Sequence, residues 1–196
     1  MTTTSGPIAR AFGDWIWPES EPGYFAELGR MIAAYARAEA GVHFLVRYLS
    51  GLPDAKARAI FGRMRLPDLT DLVRQMMRIN KTSDDIYQEV DACLVQLDTI
   101  AQQRHKLVHR MVEYAGSYLS VSNPLTAKSL AAIENDVFSH SDLQNMNLDC
   151  RAIFLRLLSV MAPDEPDPDP EVHAFVRAPW RYKPPRRGSG RKQRRR

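Results

Sequence analysis

Apolar side chains recur at alternating steps of three and four residues over long stretches of this chain, and this spacing constrains the fold more than any other feature. Residues spaced in this way lie on one face of an α-helix, where they can be buried together. The pattern predicts five helices, over residues 24–49, 54–62, 67–79, 86–114 and 141–161.

Four or five helices joined by short connections are typical of an all-α, up-and-down helical bundle. The helical spacing fades after residue 114, where residues 118–121 alternate between apolar and polar and Asn123 precedes Pro124. We therefore expect a small β hairpin or a loop near residues 117–138. The predicted organisation is an aromatic N-terminal arm (1–22), a helical domain (23–162), and a Pro/acidic linker with a basic, disordered tail (163–196).

The net charge of +4 conceals a sharp division along the chain. Residues 181–196 hold nine Lys/Arg and no acid, whereas residues 1–180 hold 18 basic and 23 acidic side chains. Such a tail attracts the phosphates of nucleic acids, and Trp180 and Tyr182 could stack on bases. The alternatives are a solubilising tail or one that contacts the acidic body. The candidate nucleic-acid contacts are Arg181, Lys183, Arg186, Arg187, Arg191, Lys192, Arg194, Arg195 and Arg196.

Cysteine usage and hydropathy favour a cytoplasmic protein. Cys93 and Cys150 each lie within a helical apolar pattern, which favours free buried thiols in a reducing compartment over a disulfide or a metal site. No apolar stretch approaches the roughly 20 residues that span a bilayer. The first residues lack the charged and apolar segments of a secretory signal. We therefore expect no membrane association.

Two charged residues interrupt the apolar faces of the predicted helices. Glu39 occupies the position between Tyr35 and Val42, and Arg104 the position between Ile100 and Leu107. A buried charge is costly unless it is paired or hydrogen-bonded. The pattern therefore indicates a buried ion pair of Glu39 with Arg104, an Arg104 whose head group reaches the surface, or a polar site in which Arg104 binds a phosphate.

Two histidines follow Arg104 in the same predicted helix. His105 and His109 are four residues apart and share a helix face, whereas the five-residue step from Arg104 to His109 turns the side chain by about 140°. A histidine pair of this spacing can chelate a metal. No Asp, Glu or Cys close by completes a coordination shell, so we expect no metal and regard surface histidines as the simpler interpretation.

The order Arg104, His105, three residues, His109 resembles the motif of the HEPN family, in which a polar residue usually follows the arginine and a histidine lies four to six residues beyond it. The resemblance extends over residues 24–162 through the succession of helices and the position of the motif late in a long one. This chain departs from the pattern at His105, where the family more often has asparagine or aspartate.

The resemblance implies a HEPN-like bundle and a dimeric ribonuclease that needs neither metal nor cofactor. Arg104 would bind the scissile phosphate and His109 would transfer protons, while His105 would support them and Glu39 would hold Arg104 in place. A toxin or defence effector with a protein antitoxin fits this activity. One alternative is a non-catalytic helical dimer that binds RNA or a protein partner. Another is an unrelated bundle in which the motif is a coincidence.

Overall fold

The computed structural model describes residues 22–114, 118–163 and 169–184. These residues form six α-helices and a three-stranded antiparallel sheet. The helices are α1 (Pro22–Ser50), α2 (Asp54–Phe61), α3 (Leu66–Ile79), α4 (Asp84–His109), α5 (His140–Met161) and α6 (Pro170–Arg177). The strands are β1 (Met111–Tyr114), β2 (Tyr118–Ser122) and β3 (Asn135–Ser139). The prediction of a mostly helical chain is confirmed.

Helix α1 runs through the centre of the fold and packs along α5, with α3 and α4 against it as well. At Gly41 the two long helices approach closely, because a Cβ atom added there would lie 3.1 Å from the Cδ2 atom of Phe154. The apolar faces predicted from the sequence form one buried core. Its innermost side chains include Met31, Leu45, Leu69, Leu94, Leu97, Ile100, Leu143, Met146, Ile153 and Leu157.

The long fourth helix ends earlier than predicted. It stops at His109, Arg110 adopts an extended backbone, and residues 111–114 form strand β1 instead of a further helical turn. The strand pairs with β2, placing Val112 opposite Val121 and Tyr114 opposite Leu119. Leu119 and Val121 are buried on one face of this strand pair. By pairing with them, residues 112 and 114 contribute to an apolar layer in the sheet rather than to a further turn of α4.

The expected hairpin is a three-stranded sheet. Strand β2 lies in the middle and pairs on its other side with β3, so that Leu119 is opposite Phe138. Helix α5 follows β3 directly. Ser139 and Asp142 form a capping box at its first turn, each side chain accepting a hydrogen bond from the backbone N–H of the other residue. The sheet therefore connects the end of α4 to the start of α5.

The C-terminal part of the described chain differs from the predicted linker and tail. Residues 170–177 form helix α6, and the segment that follows packs against α4 and α5. Tyr182 is buried in the core. The Asp149 carboxylate accepts hydrogen bonds from the backbone N–H groups of Arg181 and Tyr182, while Gln96 donates both to Asp149 and to the carbonyl of Tyr182. Residues 170–184 are thus part of the folded body.

None of the helices in the described part of the chain combines the length and apolar character needed to cross a bilayer. The predicted aromatic N-terminal arm lies outside the described residues, as do residues 185–196.

Candidate functional site

Arg104 lies on the face of α4 that packs into the bundle, as its seam position predicts, and its side chain is half-buried. Its guanidinium carbon lies 5.6 Å from the centroid of the Tyr35 ring on α1. Its Nε atom is buried and has no hydrogen-bond partner among the described residues. A buried N–H donor without a partner is uncommon and costly. Because the Nε atom itself is enclosed, an acceptor from outside would meet the other nitrogens of this half-buried head group.

The predicted ion pair between Glu39 and Arg104 is not formed. The ion pairs of the described residues, with N–O distances of 4.0 Å or less, do not include these two, and both side chains are half-buried rather than fully buried. The charges of both residues instead affect the pKa of the Tyr35 hydroxyl. Burial raises this pKa to about 12, the Glu39 charge adds to the rise, and the Arg104 charge opposes it. Glu39 is partly exposed to solvent, so its charge can be hydrated without a cationic partner.

The neighbouring cations of this segment are neutralised. Lys106 donates to Asp136 at 2.8 Å, and Arg110 donates to both Asp136 and Glu134, at 3.1 and 2.8 Å. These acids belong to β3 and the turn before it, so the ion pairs fix the end of α4 to the sheet. Among the described residues Arg104 has no such carboxylate, and its positive charge is the one in this segment that remains available to a ligand.

His105 and His109 lie on the exposed face of α4, with ring centroids 4.7 Å apart. His109 is the last residue of the helix and borders a small cavity of about 40 Å³ that it shares with Arg110 and the turn after β2, residues 122–126. The described residues contain no group of three or more His, Cys, Asp or Glu arranged to hold a metal ion. The histidine pair is therefore open to solvent and to any second chain that docks on this face.

Within one chain the structure does not bring Arg104 and His109 together. Arg104 faces the bundle and Tyr35, whereas His109 is exposed, in accordance with the rotation of about 140° that separates a five-residue step on a helix. No hydrogen bond or ring contact joins their side chains within the described residues. A single chain therefore does not hold these two side chains in direct contact.

The tail residues proposed to contact nucleic acid divide into two groups. Arg181 and Lys183 are described: Arg181 is half-buried with its guanidinium over Phe175, at 4.9 Å from the ring centroid, and Lys183 is exposed. The other predicted contacts lie outside the described residues, namely Arg186, Arg187, Arg191, Lys192, Arg194, Arg195 and Arg196.

The proposed stacking platform for bases is wrong. Tyr182 is buried in the core, and Trp180 is half-buried beneath the Arg156 guanidinium, which lies 4.2 Å from the Trp180 ring centroid. Arg156 also donates to the carbonyls of Val176 and Ala178, so it holds this segment in place. These aromatic rings attach the C-terminal segment to the body rather than presenting it to a ligand.

Sequence reasoning missed Asp149, a fully buried carboxylate on α5. Burial raises its pKa, and its hydrogen bonds from the backbone of Arg181 and Tyr182 and from Gln96 oppose that rise. A signal was present, because Asp149 follows Met146 by three residues and so falls at core-facing spacing. It differs from Arg104 in having its hydrogen-bonding capacity met within the chain, which gives it a structural role.

Cys93 and Cys150 are free and buried, as the sequence predicted. Burial raises the pKa of each thiol to about 12. Neither thiol is therefore a nucleophile at neutral pH.

Comparison of the chain with protein-family models, with curated proteins and with solved structures finds no match. The resemblance of the Arg104/His109 motif to the HEPN family therefore rests on the sequence pattern alone.

Proposed function

We propose that this chain is an endoribonuclease that cleaves RNA by attack of the ribose 2′-hydroxyl, in the manner that the HEPN resemblance implies, without a metal or cofactor. The observation that carries the proposal is the state of Arg104: a half-buried guanidinium with a buried, unpartnered Nε and no carboxylate partner among the described residues. Arginine presents a planar set of donors that matches two oxygens of a phosphate.

In the proposed reaction the 2′-oxygen attacks phosphorus and the bond to the 5′-oxygen breaks. A base takes the proton of the 2′-hydroxyl, and an acid supplies one to the 5′-oxygen. The products are a 2′,3′-cyclic phosphate and a 5′-hydroxyl. Histidine exchanges protons near neutral pH, which assigns these transfers to His109, while Arg104 stabilises the charge that develops on the phosphate.

His105 is assigned a supporting role beside His109, since their rings lie 4.7 Å apart. Glu39 is assigned an indirect supporting role through its negative charge near Tyr35 and Arg104, rather than a direct ion pair.

The proposed enzyme is a symmetric dimer in which the Arg104 and His109 side chains of two copies line one cleft. The opposite orientations of these side chains in a single chain support this arrangement, because a second copy related by a two-fold axis can bring His109 of one chain towards Arg104 of the other. The free thiols suit a reducing cytoplasm, where we place the activity, and a toxin or defence effector held in check by an antitoxin protein fits it.

The test is cleavage of single-stranded RNA by the purified protein in EDTA. We expect His109→Ala to abolish cleavage and His173→Ala, which truncates an exposed histidine of α6, to leave it unchanged. Mass spectrometry of the products should show cyclic phosphate ends. Cleavage that persists in His109→Ala, or that EDTA abolishes in the wild type, would contradict the proposal.

A mixing experiment tests the shared cleft. Arg104→Ala and His109→Ala proteins should each be inactive, and co-refolding the two should restore about a quarter of wild-type activity, because half of the dimers are then mixed and each mixed dimer holds one complete Arg/His set. The same mixture without co-refolding serves as the control when subunits exchange slowly. No recovery after co-refolding would show that the two residues act within one chain or not at all.

The second candidate is a non-catalytic helical dimer that binds RNA or a protein partner. It is favoured by the absence of any contact between Arg104 and His109 within the described part of one chain. A protein that binds RNA, forms a dimer and leaves the RNA intact in EDTA and in Mg²⁺ would establish it.

A further inference from the structure

Positive charge is concentrated on one part of the folded body. Residues 54–81 form α2, α3 and the turns beside them, and they hold seven Lys/Arg and three Asp/Glu. The rest of residues 1–180 holds eleven Lys/Arg and twenty Asp/Glu. The body is acidic as a whole, so this stretch of the chain is basic in an acidic background. Such segregation concentrates the electrostatic potential that attracts polyanions.

Most cations of this region are unpaired. Arg58 binds Asp54, and Arg74 binds Asp71 and Asp91. The remaining five are exposed and have no carboxylate within 4.0 Å among the described residues: Lys56, Arg63, Arg65, Arg78 and Lys81. Their charge is therefore available to a ligand.

Two of these cations line a surface cleft of about 460 Å³ between the end of α3 and the start of α4. The cleft is lined by Met77, Arg78, Lys81, Thr82, Asp84 and Tyr87. Arg78 donates from Nη2 to the Tyr87 hydroxyl at 3.1 Å, and its guanidinium carbon lies 5.9 Å from the centroid of that ring. The cleft thus combines two cations with an aromatic ring whose orientation is fixed by a hydrogen bond.

The turn that forms the floor of this cleft is well defined. Lys81 has a φ of 53°, in the left-handed region, and the turn is closed by the Thr82 N–H, which donates to the Met77 carbonyl at 3.0 Å. The Ser83 side chain makes no capping hydrogen bond at the start of α4. The hydroxyls of Thr82 and Ser83 therefore lie beside Lys81, while Asp84 and Asp85 occupy the first turn of α4 at the positive end of the helix dipole.

We propose that this cleft binds single-stranded RNA, with one base against the Tyr87 ring and the adjoining phosphate between Arg78 and Lys81. The choice of RNA rests on the proposed function, whereas the cleft itself rests on charge and geometry. Stacking of bases on aromatic rings beside cations that follow the backbone is how single strands are held.

Binding of a short labelled single-stranded oligoribonucleotide, measured by fluorescence anisotropy over a series of NaCl concentrations in EDTA, tests the proposal. The full chain carries His109→Ala throughout, so that the RNA stays intact. The double variant Arg78→Gln/Lys81→Gln should bind about tenfold more weakly at low salt, and the slope of log K against log[salt] should fall by about 0.7, the value for the one phosphate contact that is lost. The charge-matched control is Arg37→Gln/Arg151→Gln, two exposed arginines on α1 and α5.

Variants of Tyr87 test the proposed stacking of a base on its ring. Tyr87→Leu should weaken binding about fivefold or more, whereas Tyr87→Phe, which keeps the ring, should stay within about twofold of the parent. Unlabelled oligoribonucleotide should displace the labelled strand, while AMP and inorganic phosphate at the same nucleotide or phosphate concentration should not. Displacement by AMP would identify a mononucleotide site and overturn the proposal for a strand.

Equal weakening by the Arg78/Lys81 variant and by the Arg37/Arg151 control would overturn the cleft, because net charge alone would then explain binding. Parallel cleavage assays without His109→Ala separate this failure from failure of the proposed function. If the protein binds RNA through the cleft and does not cut it, the proposed binding site is supported and the proposed ribonuclease activity is contradicted. If the protein cuts RNA and the cleft variants bind RNA like the control variant, the ribonuclease activity is supported and the proposed binding site is contradicted.

Discussion

The Arg104 guanidinium lies over the ring of Tyr35, 5.6 Å from its centroid, and does not pair with Glu39. This relationship changes what the arginine contributes. An ion pair would have made Arg104 a structural residue whose loss leaves a buried carboxylate unpaired, whereas a cation over an aromatic ring is held in position at little energetic benefit. Arg104 is therefore oriented by Tyr35 while its Nε donor remains unused by the described residues.

The first prediction concerns the stability of Arg104→Ala. We expect a change of about 1 kcal/mol or less in the free energy of unfolding, because the variant loses one cation–π contact but also removes a buried donor that has no partner; a broken buried ion pair would cost roughly 3–5 kcal/mol. Urea denaturation provides the measurement, with Arg37→Ala, an exposed arginine of α1, as the control. A loss near the upper figure would reveal an anionic partner of Arg104 in solution.

The second prediction concerns Asp149, which holds the C-terminal segment through the backbone N–H groups of Arg181 and Tyr182. Asp149→Ala leaves these buried donors and the Gln96 amide without their acceptor, so we expect a loss of about 3 kcal/mol and faster tryptic cleavage after Arg177 and Arg181. Asp98→Ala, on the exposed face of α4, should change stability by less than about 0.5 kcal/mol. Equal effects of the two variants would contradict the anchoring role.

The third prediction separates the contribution of the docked residues 181–184 from that of the basic tail, residues 185–196. Deletion of residues 181–196 removes the buried Tyr182 side chain and should cost about 3–5 kcal/mol, the usual cost of losing a large buried aromatic residue. Deletion of residues 185–196 removes seven of the nine tail cations and should leave the unfolding free energy nearly unchanged while flattening the salt dependence of RNA binding. Thermal melting and salt titration of both deletions measure this. Identical stability of the two would show that Tyr182 contributes nothing to the core.

The fourth prediction concerns the thiols. Burial raises the pKa of Cys93 and of Cys150 to about 12, against about 8.5 for an exposed cysteine. Ellman's reagent should therefore find no reactive thiol in the native protein at pH 8 and two after unfolding. The pKa of each thiol is higher in the folded protein than in the unfolded chain. Burial of the neutral thiols therefore contributes fully to the free energy of unfolding below about pH 8.5. This contribution is lost as the pH rises towards 12, by up to about 1.4 kcal/mol per pH unit for each thiol. Rapid native reaction at pH 8 would contradict this burial.

Local periodicity predicted the helices because each one buries a continuous apolar face, as in α3 and α5. It failed at the end of α4, since Met111 and Tyr114 satisfy a helical step of three and Val112 and Tyr114 equally satisfy the alternation of a strand. Pairing with β2 decides between the two, and a single sequence window contains no information about that partner.

The candidate site shows the same limit. The interrupted apolar face located Arg104 on the inner side of α4, but spacing along one helix cannot say which side chain of another helix it meets, and Tyr35 rather than Glu39 lies beneath it. The burial of Tyr182 was unpredictable for a related reason. Its partners Gln96 and Asp149 lie 86 and 33 residues earlier in the chain, and the Pro-rich acidic stretch before it is typical of a linker.

The docking of Tyr182 between α4 and α5 has a consequence for how the protein is made. During translation Gln96 leaves the ribosome 86 residues ahead of Tyr182, but Asp149 only 33 residues ahead, so α4 can form early while α5 completes the slot shortly before the segment itself is made. Until the segment docks, the Asp149 carboxylate lacks the two backbone N–H donors of Arg181 and Tyr182 that satisfy it in the folded protein. The docked segment closes contacts over 33 and 86 residues of chain, a shorter span than the 120 residues between Glu27 and Asn147 where α1 meets α5, so it completes a body whose longest-range helix contact is already formed.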